Sequence, residues 1–300
     1  MELITGENDE GRRLDRILRK ALPDLNLPFI YRLLRQKKVL INGIPGKAQD
    51  RLEYGVKIII PSLDNSAAHN ITAPASKTSD NFLQILWEGS GLLAVNKPAG
   101  LTVHGPESLE TAVRSYLTEK LPPSLSFKPG PLHRLDKPSS GIVIFSSNLE
   151  GSRLFSLLLK ERKIKKTYLA ITEGKITNDK IWQDDLYRDK KTKKTYIRSC
   201  KESKSAITKI SPLAVKSNYS LIEAQILTGR THQIRAQSSF HGHPLAGDLK
   251  YGGKKLLTKG FFLHAWKLEF LKYSIKAPLP EEFEKVIKSL FDGITLASFI

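Results

Sequence analysis

A single carboxylate, Asp136, stands where the chain changes from a basic segment to a turn and then to an apolar strand. His133 and Arg134 precede it, Ser139-Ser140-Gly141 suits a turn, and residues 142–145 suit a strand. Such a turn holds an acidic side chain at a strand edge, where it can take part in catalysis or can simply form the turn. These residue types alone leave both interpretations open.

Four separated segments resemble the motifs of the RluA family of pseudouridine synthases, in the family's order. They are residues 96–104 (Asn-Lys-Pro-Ala-Gly-Leu-Thr-Val-His), 133–141 around Asp136, 166–171 (Lys-Thr-Tyr-Leu-Ala-Ile) and 227–235 (Leu-Thr-Gly-Arg-Thr-His-Gln-Ile-Arg), with 242–252 after them. Two positions depart from the family's pattern. Ser139 replaces a threonine, and Ala236-Gln237-Ser238 stands where the family commonly has Val-His-Leu.

The resemblance implies an enzyme that isomerises uridine in RNA to pseudouridine. In that reaction the N1–C1′ bond breaks, the base rotates, and C5 bonds to C1′. Because the product is an isomer of the substrate, no cofactor is expected. No metal is expected either, since the spacing of the histidines near the C-terminal end, His232, His241, His243 and His264, fits no common zinc motif.

The resemblance also assigns roles to single residues. Asp136 is the expected catalytic carboxylate, and Arg230 is the expected cation beside it. A nearby cation keeps a carboxylate ionised in a water-poor pocket; a phosphate-binding or structural arginine is the alternative. Tyr168 is expected to lie against the uracil, although a tyrosine in an alternating strand also suits core packing. Arg134 is expected to fill the space that the flipped base leaves, or else to bind phosphate.

The N-terminal segment contains an amphipathic pattern of its own. Leu14, Ile17, Leu18, Ala21 and Leu22 form one apolar helix stripe, and a second helix follows Pro28. A strand, an Asn42-Gly43 turn and another strand complete the unit, which resembles the alpha-L RNA-binding domain first described in a ribosomal protein. Four basic residues would then contact RNA phosphates or form a solvated helix face: Arg32, Arg35, Lys37 and Lys38.

Composition shifts along the chain predict three segments. Residues 1–61 are the small RNA-binding domain, 62–81 a polar linker, and 82–300 the catalytic domain. Strands are predicted at 141–146, 166–172, 220–227 and 261–271, with helices at 149–161 and 280–291. Strands without regular intervening helices favour an α+β fold with a mixed, largely antiparallel sheet and flanking helices.

Charge and cysteine content indicate the partner and the compartment. The chain has 48 Lys+Arg against 30 Asp+Glu, a net charge of +18, which points to a nucleic-acid partner rather than to a membrane. The N-terminus lacks the order of a signal peptide, and no apolar run could span a bilayer. A single cysteine, Cys200, favours a reducing compartment. The expected location is therefore the cytoplasm.

The order of a small N-terminal unit, a linker and a catalytic domain is that of the family's RluC-like members, which favours large-subunit ribosomal RNA as substrate. Transfer RNA is the alternative substrate for the same chemistry. A non-catalytic RNA-binding or ribosome-assembly factor is the alternative from another class, although the combination of Asp136, Tyr168 and Arg230 favours an enzyme. No protein partner is implied.

Overall fold

A computed structural model of the chain describes residues 1–61, 83–255 and 260–291. The predicted linker at 62–81 lies outside the described residues. Within them, no helix combines the length and the apolar character needed to cross a bilayer.

Residues 1–61 form a small unit with its own sheet and core. Its elements are β1 (Glu2–Ile4), α1 (Leu14–Ala21), α2 (Leu27–Arg35), β2 (Leu40–Ile41), β3 (Ile44–Pro45) and β4 (Lys57–Ile59), in the antiparallel sheet order β1-β4-β2-β3. The predicted stripe of α1 is buried, and Asn26 caps α2 by accepting the N–H of Phe29. Asn42 and Gly43 both have positive φ, as a tight hairpin turn requires. Strand β1 was not predicted.

Residues after 83 form an eleven-stranded sheet with flanking helices. The elements are β5 (Gln84–Gly89), β6 (Leu92–Lys97), α3 (Leu109–Thr118), β7 (Gly130–Pro131), β8 (Ser140–Ser146), α4 (Leu149–Lys160), β9 (Ile164–Glu173), β10 (Lys180–Arg188), β11 (Thr195–Ile197), β12 (Lys204–Lys216), β13 (Tyr219–Ile226), α5 (Gln233–Phe240), β14 (Leu263–Phe270), β15 (Tyr273–Lys276) and α6 (Glu281–Leu290). The sheet order is β11-β10-β12-β13-β9-β14-β8-β6-β5, with β15 on β14 and β7 on β8. Among the pairings of the described strands, β14 with β8 is parallel and the rest are antiparallel. The predicted mixed, largely antiparallel α+β fold is confirmed.

Alternating side chains on the central strands build two cores, one on each face of the sheet. Leu93, Val143 and Tyr168 point to the face covered by α3 and α5. Their neighbours Ala94, Ile144 and Leu169 point to the other face, which α4 and α6 cover. Because successive residues of a strand face opposite sides, the continuous apolar runs of β6, β8 and β9 indicate burial on both faces.

Polar contacts join the small unit to the large one. The buried carboxylate of Asp9 accepts hydrogen bonds from the backbone N–H groups of Leu125 and Ser126 and from the hydroxyls of Ser124 and Ser126. Burial alone would raise the pKa of Asp9, but these hydrogen bonds and that from Gly6 outweigh it and lower the pKa. Asp9 therefore anchors the N-terminal unit to the loop after α3.

Candidate active site

Asp136 lies in a tight turn immediately before β8. The N–H of Ser139 donates to the carbonyl of Asp136 at 3.1 Å and closes the turn. At Gly141, β8 approaches β14 so closely that a Cβ would lie 2.3 Å from the carbonyl oxygen of Ala265, and its φ is +108°. Only glycine satisfies both conditions. The Ser-Ser-Gly sequence therefore sets the turn, and with it Asp136, against the centre of the sheet.

Lys97 connects the Asp136 turn to the segment that follows β6. This side chain at the end of β6 is fully buried, and its ammonium donates to the carbonyls of Pro98 (2.8 Å), Leu101 (2.8 Å) and Lys137 (3.2 Å). Burial lowers the pKa of Lys97 to about 8, and the charge of Asp136 partly opposes that shift. One side chain thus connects the Asn-Lys-Pro segment to the turn that carries Asp136.

Arg235, in the first turn of α5, forms the ion pair with Asp136. Its Nη1 lies 2.7 Å from Oδ2 of Asp136, while Nε and Nη2 bind both oxygens of Asp248 at 2.7 and 2.9 Å. The guanidinium also lies over the rings of Tyr251 and Phe261. Burial opposes the charge on Arg235, but the hydrogen bonds and charges of Asp248 and Asp136 raise its pKa overall. A bidentate pair of this kind fixes a guanidinium's orientation, so Asp248 aims Arg235 at Asp136.

His232 lies near the other oxygen of Asp136, at a distance longer than a hydrogen bond. It has left-handed backbone geometry (φ 56°) at the start of α5, and its Nε2 lies 3.6 Å from Oδ1 of Asp136. Its Nδ1 lies 3.2 Å from Nη1 of Arg188 and 2.7 Å from the hydroxyl of Tyr251. Because a guanidinium can only donate, Nδ1 is an acceptor and the ring proton sits on Nε2, facing Asp136. Burial lowers the pKa of His232 to about 4, so the ring is neutral near pH 7.

Asp136 opens into a cavity of about 540 Å³. Tyr168, from the buried centre of β9, lines this cavity beside it, and a further cavity of about 70 Å³ continues between Asp136, Tyr168 and Arg235. Burial, and secondarily the charge of Asp136, raises the pKa of Tyr168 well above its ordinary value. The phenol therefore keeps its proton at neutral pH. A cavity of this size accommodates a nucleoside.

Basic side chains dominate the wall of the cavity. Asp136 is its one acidic lining residue among the described part of the chain, against Arg134, Lys160, Arg162, Lys166 and Arg230. Burial lowers the pKa of Lys166 to about 8. A cleft lined with one sign of charge concentrates ligands of the opposite sign. The cavity thus suits a ligand that is not anionic at Asp136 and carries negative charge around it.

Comparisons with known proteins agree with this geometry. Residues 91–240 match the family model described as RNA pseudouridylate synthase. The chain belongs to that family. It is 32% identical to a ribosomal large subunit pseudouridine synthase C of Rickettsia bellii, over 95% of this chain and 100% of that one. It is 30% identical to one of Vibrio vulnificus, over 95% and 94%. The fold is similar to human RNA Pseudouridylate Synthase Domain Containing 4 (TM-score 0.59, 24% identity, 69% and 92% coverage).

Membership of this family confirms the predicted enzyme, an RNA pseudouridine synthase. The structure corrects one detail of the predicted site, the partner of Asp136. Arg230 is exposed, and its Nε donates to the carbonyl of Ser205 at 3.0 Å rather than to Asp136. It lies in the loop before α5, whereas Arg235 lies on the buried face of that helix. Arg230 still lines both cavities of the synthase, so its contribution to catalysis remains a prediction.

The other predicted residues fall into two places. Tyr168 and Arg134 share the active-site cavity with Asp136, and Arg134 is exposed at its wall. The four basic residues predicted to bind RNA lie at the end of α2 and in the turn after it, all exposed and none lining this cavity: Arg32, Arg35, Lys37 and Lys38. Arg32 stacks on the ring of Phe29, 4.6 Å from its centroid. Their RNA contacts remain a prediction.

Sequence analysis missed four residues of the synthase's site. Lys97, His232, Arg235 and Asp248 were inside the motif segments but were assigned no role in the site. A lysine two positions after the apolar run of β6 was the available signal for Lys97. For Arg235 the signal was a second acidic residue, Asp248, in the following segment, although an intervening loop and helix hide their proximity.

The departure Ala236-Gln237-Ser238 has a local structural reason. Gln237 is fully buried, and its amide nitrogen donates to Asp184 and to the carbonyl of Trp182 while its oxygen accepts from Thr208. Each of these partners lies on β10 or β12. The glutamine thus binds α5 to the sheet through hydrogen bonds.

Proposed function

We propose that this synthase converts specific uridines of large-subunit ribosomal RNA to pseudouridine, with Asp136 as the catalytic carboxylate. The observation that supports this role most directly is the environment of Asp136. Asp136 is the acidic residue among the basic side chains that line the cavity. Arg235 and the Nε2–H of His232 both face its carboxylate. Arg235 holds the carboxylate at the cavity through a charge-assisted contact of 2.7 Å.

The chemistry follows from what surrounds C1′ when a uridine occupies the cavity. An ionised carboxylate beside C1′ stabilises the positive charge that develops as the N1–C1′ bond breaks. The detached uracil must stay in the site while it rotates, and Tyr168 provides the surface against which we place it. When C5 bonds to C1′, C5 loses one proton and N1 gains one. The Tyr168 hydroxyl, which is protonated, can take part only as a relay that gives up its own proton as it accepts another. Atoms balance without a cofactor.

The assignment to large-subunit ribosomal RNA is supported by the relatives and by the chain's layout. Relatives named ribosomal large subunit pseudouridine synthase C match nearly the full chain, including the small N-terminal unit. We propose that residues 1–61 are an alpha-L RNA-binding domain, 62–81 a linker and 82–300 the catalytic domain. Because ribosomal RNA is the proposed substrate, we also propose that the synthase is cytoplasmic. Its single cysteine, Cys200, is unpaired, which agrees with a reducing compartment.

RNA binding is proposed for the exposed basic residues already named. Arg134 lies at the cavity wall, where its guanidinium can stack in the space of a flipped base. Arg32, Arg35, Lys37 and Lys38 would hold phosphates around the target without reading its sequence. Arg230, beside the cavity, is proposed to contact the substrate instead of holding Asp136.

The first test is the Asp136→Asn variant. Rates of pseudouridine formation should fall on the order of 10³-fold or more, since a neutral amide cannot replace the carboxylate. RNA affinity should change little, because Arg235 keeps its bidentate pair with Asp248 and the site keeps its shape. Asp179→Asn, at an exposed position before β10, is the matched control and should behave as wild type. Loss of RNA binding together with activity would make Asp136 a structural residue.

Substrate identity is tested by mapping pseudouridine across all RNAs of cells that lack the gene, complemented with wild type or with Asp136→Asn. Specific large-subunit sites should disappear and return only with wild type. Sites lost from transfer RNA instead would preserve the chemistry and overturn the ribosomal assignment. An unchanged map, with purified enzyme inactive on ribosomal RNA transcripts, would favour a non-catalytic RNA-binding factor.

A further inference from the structure

A second basic cavity lies where the N-terminal unit meets the catalytic sheet. It has a volume of about 360 Å³ and is lined by five arginines, Arg12, Arg13, Arg16, Arg51 and Arg153. Four come from the N-terminal unit, and Arg153 comes from α4. Leu149, at the start of α4, completes the wall between them. We name this cavity the junction cleft.

Acidic groups near the junction cleft are already occupied. Asp15 binds Arg13 and accepts the hydroxyl of Tyr31. Asp9 is saturated by hydrogen bonds from residues 124–126. Within the described residues, the side chains of Arg16 and Arg153 have no hydrogen bond or ion pair, so their charges face the cleft without compensation.

The guanidinium groups crowd one another. Burial lowers the pKa of Arg12, Asp9 raises it, and the charges of Arg153 and Arg16 lower it further. Arginine stays charged at any physiological pH, so this repulsion is not relieved by loss of a proton. An anion in the cleft would relieve it, and phosphate is one of the anions that guanidinium groups bind through two parallel hydrogen bonds.

Helix α4 connects the junction cleft to the active site. Leu149 and Arg153 line the cleft, while Leu159 and Lys160 at the other end line the active-site cavity. The 12 residues of α4 span about 18 Å, a distance over which an RNA strand carries several phosphates. Arg153, Leu157 and Lys160 are exposed at spacings of four and three residues and so form one face of the helix.

We infer that the junction cleft binds backbone phosphates of the same RNA whose uridine enters the active site, with the RNA following the exposed face of α4 between the two. This inference rests on the proposed function for the nature of the RNA. It assigns a binding role to the interface between the two units, distinct from the residues at the end of α2. The two units then act as one RNA-binding surface.

The test uses full-length protein and a transcript of large-subunit ribosomal RNA, with a transfer RNA transcript for comparison. Arg16→Gln combined with Arg153→Gln removes the two uncompensated charges while keeping good helix formers. Affinity for the ribosomal transcript should fall about tenfold or more. The plot of log affinity against log salt should lose about 1.4 to 1.8 of its slope, the value for two phosphate contacts.

Two further variants separate binding from folding. Arg16→Lys combined with Arg153→Lys retains the charges and should restore most of the affinity and the salt slope. Lys288→Gln, on α6 at the opposite sheet face from the active site, removes an exposed charge elsewhere and should leave both unchanged. Wild-type affinity and slope in the glutamine variant would overturn the inference. An equal loss of affinity and of salt slope in the lysine variant, together with a lowered melting temperature, would also overturn the inference.

Pseudouridine formation by the wild-type enzyme on the same transcript is measured in parallel. If no pseudouridine forms, the result counts against the proposed function. Whether the junction cleft binds RNA phosphates is decided separately, by the affinity and the salt slope. Tight binding to both transcripts with the predicted loss in the variant supports the cleft as a general phosphate site.

Discussion

Asp136 and Arg235 are separated by 99 positions in the chain and form an ion pair of 2.7 Å in the candidate active site. Their pairing depends on a third residue, Asp248, which holds the other side of the guanidinium. Because Arg235 is almost fully buried between two carboxylates and two aromatic rings, its charge is compensated where water cannot reach it. Arg230, five positions earlier, has none of these contacts.

The corrected pairing predicts different behaviour for the two arginines. Arg235→Lys retains a charge but cannot bind both carboxylates at once. We expect the free energy of unfolding to fall by about 2–4 kcal/mol and the rate to fall on the order of 10²-fold, because Asp136 loses its orientation. Chemical denaturation and single-turnover kinetics measure these changes.

Arg230→Lys is the matched control for stability. The side chain of Arg230 is exposed and donates one hydrogen bond to a backbone carbonyl. The substitution should therefore change the free energy of unfolding of the protein by less than about 0.5 kcal/mol. Equal destabilisation by the two substitutions would contradict the assignment of Arg235 as the residue that holds Asp136.

At the scale of elements, apolar periodicity predicts helices that pack by an apolar face, although α3, which packs in this way, was not predicted. The stripes of α1 and α4 have this pattern, and their predicted limits agree with the structure to within one or two residues. Helix α5 was missed because four of its buried residues are polar: Gln233, Arg235, Gln237 and Ser238. Hydrogen bonds hold much of its buried face to the sheet, and only Ile234 and Ala236 join the apolar clusters. Such a helix has little apolar periodicity to detect.

Loops of the active site are connected by a buried cation. Lys97 is the shared donor to three backbone carbonyls, two in the 98–101 segment and one in the Asp136 turn. Gly100 adds a backbone bond, donating to the carbonyl of Lys137 at 2.8 Å. The Asn-Lys-Pro segment is therefore part of the support of the Asp136 turn.

Lys97→Met tests that support. The thioether side chain fills a similar volume but leaves the carbonyls of Pro98 and Leu101 without this donor, while the carbonyl of Lys137 keeps the N–H of Gly100. Each unsatisfied group costs about 1–3 kcal/mol. Relief of the buried charge offsets part of this cost, so we expect a net loss of about 2 kcal/mol or more in the free energy of unfolding, with reduced activity. Lys288→Met is the exposed control, and thermal melting and initial rates are the measurements. Wild-type stability and activity would show that the turn holds without Lys97.

For the whole molecule, buried neutral histidines link stability to pH. Burial lowers the pKa of His264 and of His232 to about 4 and that of His133 well below its ordinary value. In the unfolded chain all three titrate near 6.5. Between about pH 6.5 and 4 the unfolded state therefore binds more protons, and the stability of the fold decreases as the pH falls through this range.

Calorimetric melting from pH 8 to pH 4.5 measures this dependence. The melting temperature should decrease below about pH 6.5, and His264→Gln should weaken the dependence because one of the three groups is removed. Lys288→Gln, an exposed substitution that leaves all three rings in place, is the control and should keep the wild-type slope. A melting temperature independent of pH between 6.5 and 4.5 would contradict neutral burial of these rings.

The sequence by itself determined the family, the α+β class, the cores of the long apolar strands and the turn that carries Asp136. These features depend on local patterns: motif order, strand alternation, helix stripes, and glycines that a turn requires. Tertiary structure decided which arginine pairs with Asp136, how Lys97 joins two loops, and that α1 meets α4 in a cleft of arginines. Such contacts join residues far apart in the chain, and their energies depend on burial and orientation, which appear only when the sheet has brought the segments together.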